Sequence, residues 1–340
     1  MMAVLDTRGR ALRDLRVSVT DRCNFRCTYC MPREVFGADF VFLEREELLT
    51  FEEIARVVAA FTRCGVRKVR LTGGEPLLRR GLETLVSALA GLEGVEDLAL
   101  TTNGSLLAGK AATLRAAGLH RLTVSLDSVD AAVFAAMSDT TVGLNKVLDG
   151  LAAATEAGFD DIKLNAVVRR GVNDDGILDL ARFGREHGYT VRFIEYMDVG
   201  TTNGWRMDEV VPAAEIIRRI DAELPLKPVE ADYVGEVAQR WCYRDGAGEV
   251  GVVASVTQAF CSTCTRARLS PVGELYTCLF ASAGTDLRAL LRGGIDDDDL
   301  VAAISGRWAV RDDRYSQLRA SATNRSGQGP RKVEMSYIGG

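Results

Sequence analysis

The sequence predicts an α/β protein, a partial (β/α)6 barrel followed by a smaller C-terminal region. Two observations carry that prediction. Strand-like segments recur at residues 15–20, 68–72, 97–101, 121–126, 161–168 and 190–196, with helix-compatible stretches in most gaps between them. Strand, crossover helix and strand in repetition imply a parallel sheet, and six such units suggest an open version of the (β/α) barrel. The strands also alternate, where a parallel strand packed on both faces would be almost wholly apolar. Since helices cover the outside of a barrel, the apolar phase faces them and the polar phase faces the lumen. With 340 residues there is enough chain for a well-buried core, and the boundary is placed at residues 1–220 and 221–340.

The elements follow in order. In LRVSVT the apolar phase is Leu15, Val17 and Val19, and the other phase is Arg16, Ser18 and Thr20. Thr50 and Glu53 form a capping box ahead of Ile54, Val57, Val58 and Phe61, whose helical spacing runs until Gly65 ends the helix. Cys64 closes that apolar face and is read as a core thiol. Lys68 and Arg70 then alternate with Val69 and Leu71, Thr101 with Leu98 and Leu100, and Ser125 with Val124 and Leu126. Lys163 sits between Ile162 and Leu164, and Arg192 between Val191 and Phe193. A lumen lined with Arg16, Lys68, Arg70, Lys163 and Arg192 is a wet cavity suited to an anion. A solvent-exposed antiparallel sheet would alternate in the same way, but the crossover helices argue against it. Further on, the run Asp296 to Asp299 opens a helix, where negative charge suits the dipole, and is assigned no metal.

Composition narrows the function classes. Apolar residues make up 47% and charged residues 26%, ordinary for a soluble globular protein. No apolar run approaches membrane-spanning length and no signal-peptide pattern opens the chain, which reads as cytoplasmic with no membrane partner. A net charge of −5 argues against general nucleic-acid affinity, so an anionic ligand has to be met by locally gathered cations. Six of the eight cysteines fall into two groups, which favours metal or catalytic use over a disulfide framework. Outside them are Cys64 and Cys242, the latter in WCYRD and read as a buried or edge-strand thiol.

The first group, Cys23, Cys27 and Cys30 in CNFRCTYC, follows the first strand. Three thiolates spaced CxxxCxxC with no nearby fourth ligand can hold three irons of a 4Fe–4S cube and leave the last iron open to bind something. A closed zinc site would need a fourth Cys or His close by in space. His120 and His187, the chain's two histidines, have no ligand-like spacing. Gly73-Gly74-Glu75-Pro76 ends the second strand, where glycine lets main chain approach a ligand and Pro76 can open a helix. Thr101-Thr102-Asn103-Gly104 and Ser125-Leu126-Asp127 end the next two, although turn chemistry and capping explain them equally well. The second group, Cys261, Cys264 and Cys278, again has no local fourth; a structural zinc completed by Cys242 stays open. There is no Walker-type loop, so the residues alone point to an anionic small molecule.

CxxxCxxC resembles the signature of the radical S-adenosylmethionine superfamily, and together with TGGEPLLRR, TTNG, SLDS, FIEYMDVG, the late CxxC with its third Cys and the terminal Gly339-Gly340 it resembles the GTP 3',8-cyclase family within it. The resemblance spans about residues 11–340. It implies a TIM-like radical SAM barrel with two 4Fe–4S clusters, S-adenosylmethionine as cofactor and GTP as substrate. A 5'-deoxyadenosyl radical would take hydrogen from ribose carbon 3, and the product would be 3',8-cyclo-7,8-dihydroguanosine triphosphate, made in the first step of molybdenum cofactor biosynthesis. By the same resemblance Cys23, Cys27 and Cys30 ligate one cluster and Cys261, Cys264 and Cys278 the other. Tyr29, Gly74, Ser125 and Met197 contact S-adenosylmethionine, the carboxylate of the GGE motif holds its amino group, and Arg16, Arg70, Thr101, Lys163, Arg266, Ala267 and Arg268 contact GTP. Arg266 and Arg268 are the catalytic pair, and the Gly-Gly tail reaches the active site. A low-potential reductant, cyclic pyranopterin monophosphate synthase downstream, and a monomer or homodimer are implied as well. Thr265 and Ala259 depart from the family pattern beside the second group. A peptide-modifying radical enzyme, or a zinc-stabilised or electron-transfer protein, are the rival readings.

Overall fold

The computed structural model describes residues 4–322 and 331–339. Six strands form where the alternation places them: β1 (Asp14–Ser18), β2 (Lys68–Thr72), β3 (Asp97–Thr102), β4 (Arg121–Ser125), β5 (Ile162–Val168) and β6 (Thr190–Glu195), each parallel to the next. The crossovers are helical, with α1 (Phe51–Arg63), α2 (Leu82–Ala90), α3 (Ala111–Ala116), α4 (Ala131–Ser138), α5 (Leu144–Glu156) and α6 (Ile177–His187). α1 starts as its sequence dictates: the Glu53 amide donates to Thr50 Oγ1 at 3.1 Å and the Thr50 amide to Glu53 Oε2 at 2.8 Å. Gly65, at φ 109°, turns the chain after it. The acidic run also opens a helix, with Asp296 Oδ1 accepting from the Asp299 amide.

One face of this sheet is dry. Leu15, Val17, Val69, Leu71, Leu98 and Leu100 are buried against the helices, in a core shared with Ile54, Val57 and Phe61 of α1. The other face carries the polar phase. Cys64 lies in the same core, as expected.

The expected barrel is present, and the C-terminal region is woven into it. After β6 come α7 (Ala213–Asp221), β7 (Leu226–Val229), β8 (Gln239–Tyr243), β9 (Glu249–Val253), β10 (Arg266–Leu269), β11 (Glu274–Tyr276) and β12 (Thr285–Asp286). β9 pairs parallel with β6, and β10 pairs parallel with β1. The result is one sheet of twelve strands in the order β12-β11-β10-β1-β2-β3-β4-β5-β6-β9-β8-β7. The chain beyond residue 220 therefore extends both flanks of the barrel sheet. The remaining helices are α8 (Leu287–Arg292), α9 (Asp297–Ala309), α10 (Tyr315–Ala322) and α11 (Met335–Ile338). Among the described residues no helix is long and apolar enough to cross a membrane.

Candidate active site

Cys23, Cys27 and Cys30 are carried on the loop leaving β1, and two neighbours shape it. The Arg26 and Thr28 amides donate to the carbonyls of Ser138 and Met137 at the end of α4. From the other side the loop rests on Gly73-Gly74, where the Gly74 amide donates to the Thr20 carbonyl at 2.8 Å. A Cβ on Gly74 would lie 2.2 Å from the Arg22 carbonyl oxygen, so no larger residue fits beneath the cysteine loop. Carboxylates surround this trio. Glu75, buried, accepts from the Thr102 hydroxyl and from the Asn103 and Leu77 amides at 2.7 to 2.9 Å, and burial pushes it up to about 7. Asp127 accepts from the Tyr29 hydroxyl and the Val167 amide, both at 2.8 Å, and burial pushes it up to about 6. Burial and the nearby Glu75 charge hold the Cys23 thiol up at about 11, and burial with Asp127 raises Cys27 well above its usual value.

In the second trio Cys264 has guanidiniums where the first trio has carboxylates, while burial and the nearby Asp313 charge hold the Cys278 thiol up at about 11. Cys264 Sγ accepts from Arg266 at 3.3 Å and Arg311 at 3.2 Å. Burial alone would raise the Cys264 thiol, but those two charges bring it down to about 6. Arg311 is buried, stacked on Trp308, and also donates to the carbonyls of Cys264 and Thr277 and to Asp6. Arg10, paired with Asp6 at 2.6 Å, donates to the Cys261 carbonyl at 2.7 Å. Residues near the two ends of the chain thus form the cradle of the second trio.

Both trios open on one cavity of about 290 Å³. The strand register explains the charge of its wall: Arg16 on β1 lies opposite Arg70 on β2 and opposite Arg268 on β10, and Asp14 lies opposite Arg266. Burial and the adjacent Arg268, Arg266 and Arg70 charges push Arg16 well below the usual arginine range. Burial with Arg192 brings Arg70 down to about 10, and burial with Arg266 does the same to Arg268. Such crowding of like charges favours an anionic ligand. Among the described residues no group of three or more His, Cys, Asp or Glu is placed to hold a single metal ion, and Cys242 sits on β8 opposite Lys227 and Glu249 rather than beside the second trio. Two sets of three thiols, each opening on the same cavity, suit two cubes with a vacant corner better than zinc.

Residues 17–184 match the Radical SAM superfamily and residues 189–317 match Molybdenum Cofactor Synthesis C. A GTP 3',8-cyclase of Acidothermus cellulolyticus is 58% identical, with 99% of each chain covered. The chain belongs to the GTP 3',8-cyclase family. Others named the same way are 52% identical in Xanthomonas axonopodis pv. citri, with 98% of each chain covered, and 47% in Staphylococcus saprophyticus, with 99% covered. Among solved structures, Streptococcus suis SuiB is similar in fold, with a TM-score of 0.60 at 16% identity over 88% of this chain and 69% of that one.

The cavity of this family member gathers most of the residues singled out in its sequence. The six cysteines, Tyr29, Gly74, Ser125 and Met197, together with Arg16, Thr101, Arg266 and Arg268, line it. Arg70 donates to the hydroxyls of Thr101 and Thr123 at 3.0 and 2.9 Å. Lys163 and Lys68 pair with Asp161 and Asp97, acids that the strand pattern did not bring into the reading. The Ala267 side chain belongs to the apolar core, which leaves only its main chain to meet a ligand. Thr265 is buried, with its hydroxyl on Asp14. Gly340 lies outside the described residues; a Cβ on Gly339 would meet Thr72 Cγ2 at 2.2 Å, and the Ile338 carbonyl accepts from Arg268. Sequence reasoning missed Arg10, Arg311, Asn165 and Ser255. Arg10 and Arg311 lie outside any motif; Asn165 shares the polar phase of β5 with Lys163 and could have been found by extending that alternation.

Proposed function

We propose that the chain converts GTP into (8S)-3',8-cyclo-7,8-dihydroguanosine 5'-triphosphate as a radical S-adenosylmethionine enzyme, in the first step of molybdenum cofactor biosynthesis. One observation carries this reading: two cysteine trios face a single cavity whose wall between them is built from arginines. Cys23, Cys27 and Cys30 would hold one 4Fe–4S cluster and Cys261, Cys264 and Cys278 the second. When bound, the first supplies the electron that cleaves S-adenosylmethionine, and the second an open iron for the guanine edge.

The chain's own residues do the positioning. Arg16, crowded by Arg70, Arg266 and Arg268, is relieved of repulsion when a triphosphate enters. Arg70 is held by the hydroxyls of Thr101 and Thr123, so little ordering is needed when the ligand arrives. Lys163 supplies further charge deeper in the barrel, next to Asp161. Arg266 and Arg268 stand on the strand that leaves the second trio, so the ligand's base and phosphates are fixed by one rigid element. On the opposite side Tyr29, held by Asp127, and Gly74, Ser125 and Met197 surround the S-adenosylmethionine site. The segment ending in Ile338 and Gly339 reaches the cavity wall, with Met335 and Ser336 lining it, the Ile338 carbonyl on Arg268 and Gly339 close against Thr72. No base with a tuned pKa is required of the protein to generate the radical. A cytoplasmic location, a low-potential electron donor and cyclic pyranopterin monophosphate synthase as the next enzyme belong to the same reading.

The test is incubation of reduced, reconstituted protein with S-adenosylmethionine and each nucleoside triphosphate in turn. Cyclised product from GTP alone, with iron for two cubes, is expected. Cleavage stimulated equally by all four nucleotides, or iron for one cube only, overturns the reading.

A further inference from the structure

Two cavity residues missed by sequence reasoning, Asn165 and Ser255, each carry a buried polar atom that no group among the described residues pairs, and Ser255 is the more deeply buried. Ser255 is 1% exposed, yet its hydroxyl has no hydrogen-bond partner among the described residues. It lines the cavity shared by the two trios. A buried hydroxyl left unpaired is costly, and a fold that retains one in a cavity wall is holding it for something that enters.

The turn that carries it is fixed on every other side. The Ser255 amide donates to the Val253 carbonyl at 3.0 Å, and the Ser255 carbonyl accepts from Arg319 at 2.8 Å. Arg319 is in turn paired with Asp198 at 2.8 Å. The next two amides, of Val256 and Thr257, donate to one oxygen of Glu195 at 2.7 and 2.9 Å, and Glu195 is fully buried and also receives the Ala213 amide. With its main chain pinned from both directions, residue 255 is held in place in the cavity wall. This arrangement is that of a preorganised contact.

Its place along the chain says which part of a nucleotide it meets. Gly251 on β9 pairs with Arg192 on β6, one of the cations that line the cavity. Farther along the same stretch of chain, Cys261 belongs to the second trio. Ser255 stands between the two in sequence, on a stretch whose Val253, Ser255, Phe260 and Cys261 all line the cavity. In a nucleotide with phosphates among the cations and its base toward the second trio, the sugar lies between. A neutral hydroxyl, able both to donate and to accept, also matches a sugar hydroxyl better than a phosphate, for which the cavity offers arginines.

We propose that Ser255 is a substrate contact that hydrogen-bonds a ribose hydroxyl of the bound nucleotide, an inference that rests on the GTP reading above. The experiment is anaerobic equilibrium dialysis of the reconstituted holoenzyme, wild type and Ser255→Ala, against GTP, 2'-deoxyGTP and 3'-deoxyGTP. Alanine is smaller than serine and introduces no clash. The variant is expected to bind GTP about three- to tenfold more weakly, the range for one neutral hydrogen bond. The difference between wild type and variant should vanish with the deoxynucleotide that lacks the contacted hydroxyl. Equal GTP affinity in both proteins, or a penalty that persists unchanged with both deoxynucleotides, overturns the proposal. Wild type failing to bind GTP at all would instead defeat the GTP reading itself, and is distinguished by that control.

Discussion

The two cysteine trios face the same cavity, but Cys264 of the second sits in the opposite electrostatic setting to Cys23 and Cys27 of the first, while Cys278, beside Asp313, is raised as they are. Around Cys23, Cys27 and Cys30 the buried charged groups are Glu75 and Asp127, and burial with those carboxylates pushes the Cys23 and Cys27 thiols up. Around Cys264 they are Arg266 and Arg311, which overcome burial and favour the thiolate. The supports differ in kind. The first trio rests on main-chain contacts from the end of α4 and the turn after β2, whereas the second is cradled by the side chains of Arg10 and Arg311. A cluster carries negative charge on its sulfurs, so the second setting lowers the cost of holding that charge and the first raises it. The difference matches a division of labour in which the first site must give up an electron and the second must hold a substrate.

The largest expected effect separates the two sites outright. Cys27→Ser should abolish S-adenosylmethionine cleavage, measured as 5'-deoxyadenosine. Cys264→Ser should leave cleavage running while cyclised product disappears, and each variant should retain iron for one cube. If both variants lose cleavage equally, the two sites are not functionally distinct. Next in size is Arg311→Met. Removing it leaves Asp6 with Arg10 alone in a buried setting and takes one donor from Cys264, at a cost of about 3–5 kcal/mol in a thermal or denaturant melt. Iron at the second site should fall with the first retained. Loss of iron from both sites would show that the cradle supports the whole barrel rather than one trio.

This contrast also marks how far the sequence could be read. The six barrel strands, the capping box at Thr50 and Glu53, and the inward phase holding Arg16, Arg70 and Arg192 follow from periodicities of a few residues, which local sequence records directly. β9 and β10 could not be placed that way. No crossover helix marks them in the sequence, and only their parallel pairing with β6 and β1 makes them part of the barrel. The same holds within the site. Tyr29 and Gly74 stand next to motifs, but Arg10 and Arg311 are single arginines among the 42 Lys and Arg residues, and nothing in their neighbourhood separates them from surface charges. Asp97 and Asp161 were missed for a further reason. They precede or begin their strands, where an acid reads as turn chemistry rather than as a partner for Lys68 and Lys163.

A smaller effect is expected within the first site. Tyr29→Phe keeps the ring but removes the hydroxyl that donates to Asp127, leaving that buried carboxylate with the Val167 amide. The cost is about 1–3 kcal/mol. Calorimetric titration should show weaker S-adenosylmethionine binding with GTP affinity kept, and equal loss for both ligands would mean that the two halves of the cavity are not independent.

The smallest effect lies on the seam where the two regions meet. Asp198 follows Met197 on the S-adenosylmethionine side, and it accepts from Tyr315 at 2.5 Å and from Lys332 at 2.9 Å while pairing with Arg319. The Tyr315 ring stacks on Phe280, two residues past Cys278, with centroids 4.3 Å apart. Tyr315→Phe removes the hydroxyl but preserves the stack, and Asp198 keeps two cationic partners, so the loss should be about 1 kcal/mol in a denaturant melt. Because Arg319, on the same helix as Tyr315, still pairs with Asp198, iron content at both sites should stay unchanged. A clear loss of iron from the second site alone would show that Asp198 reaches across the seam to hold the Cys278 loop, and that the two settings are mechanically coupled as well as electrostatically distinct.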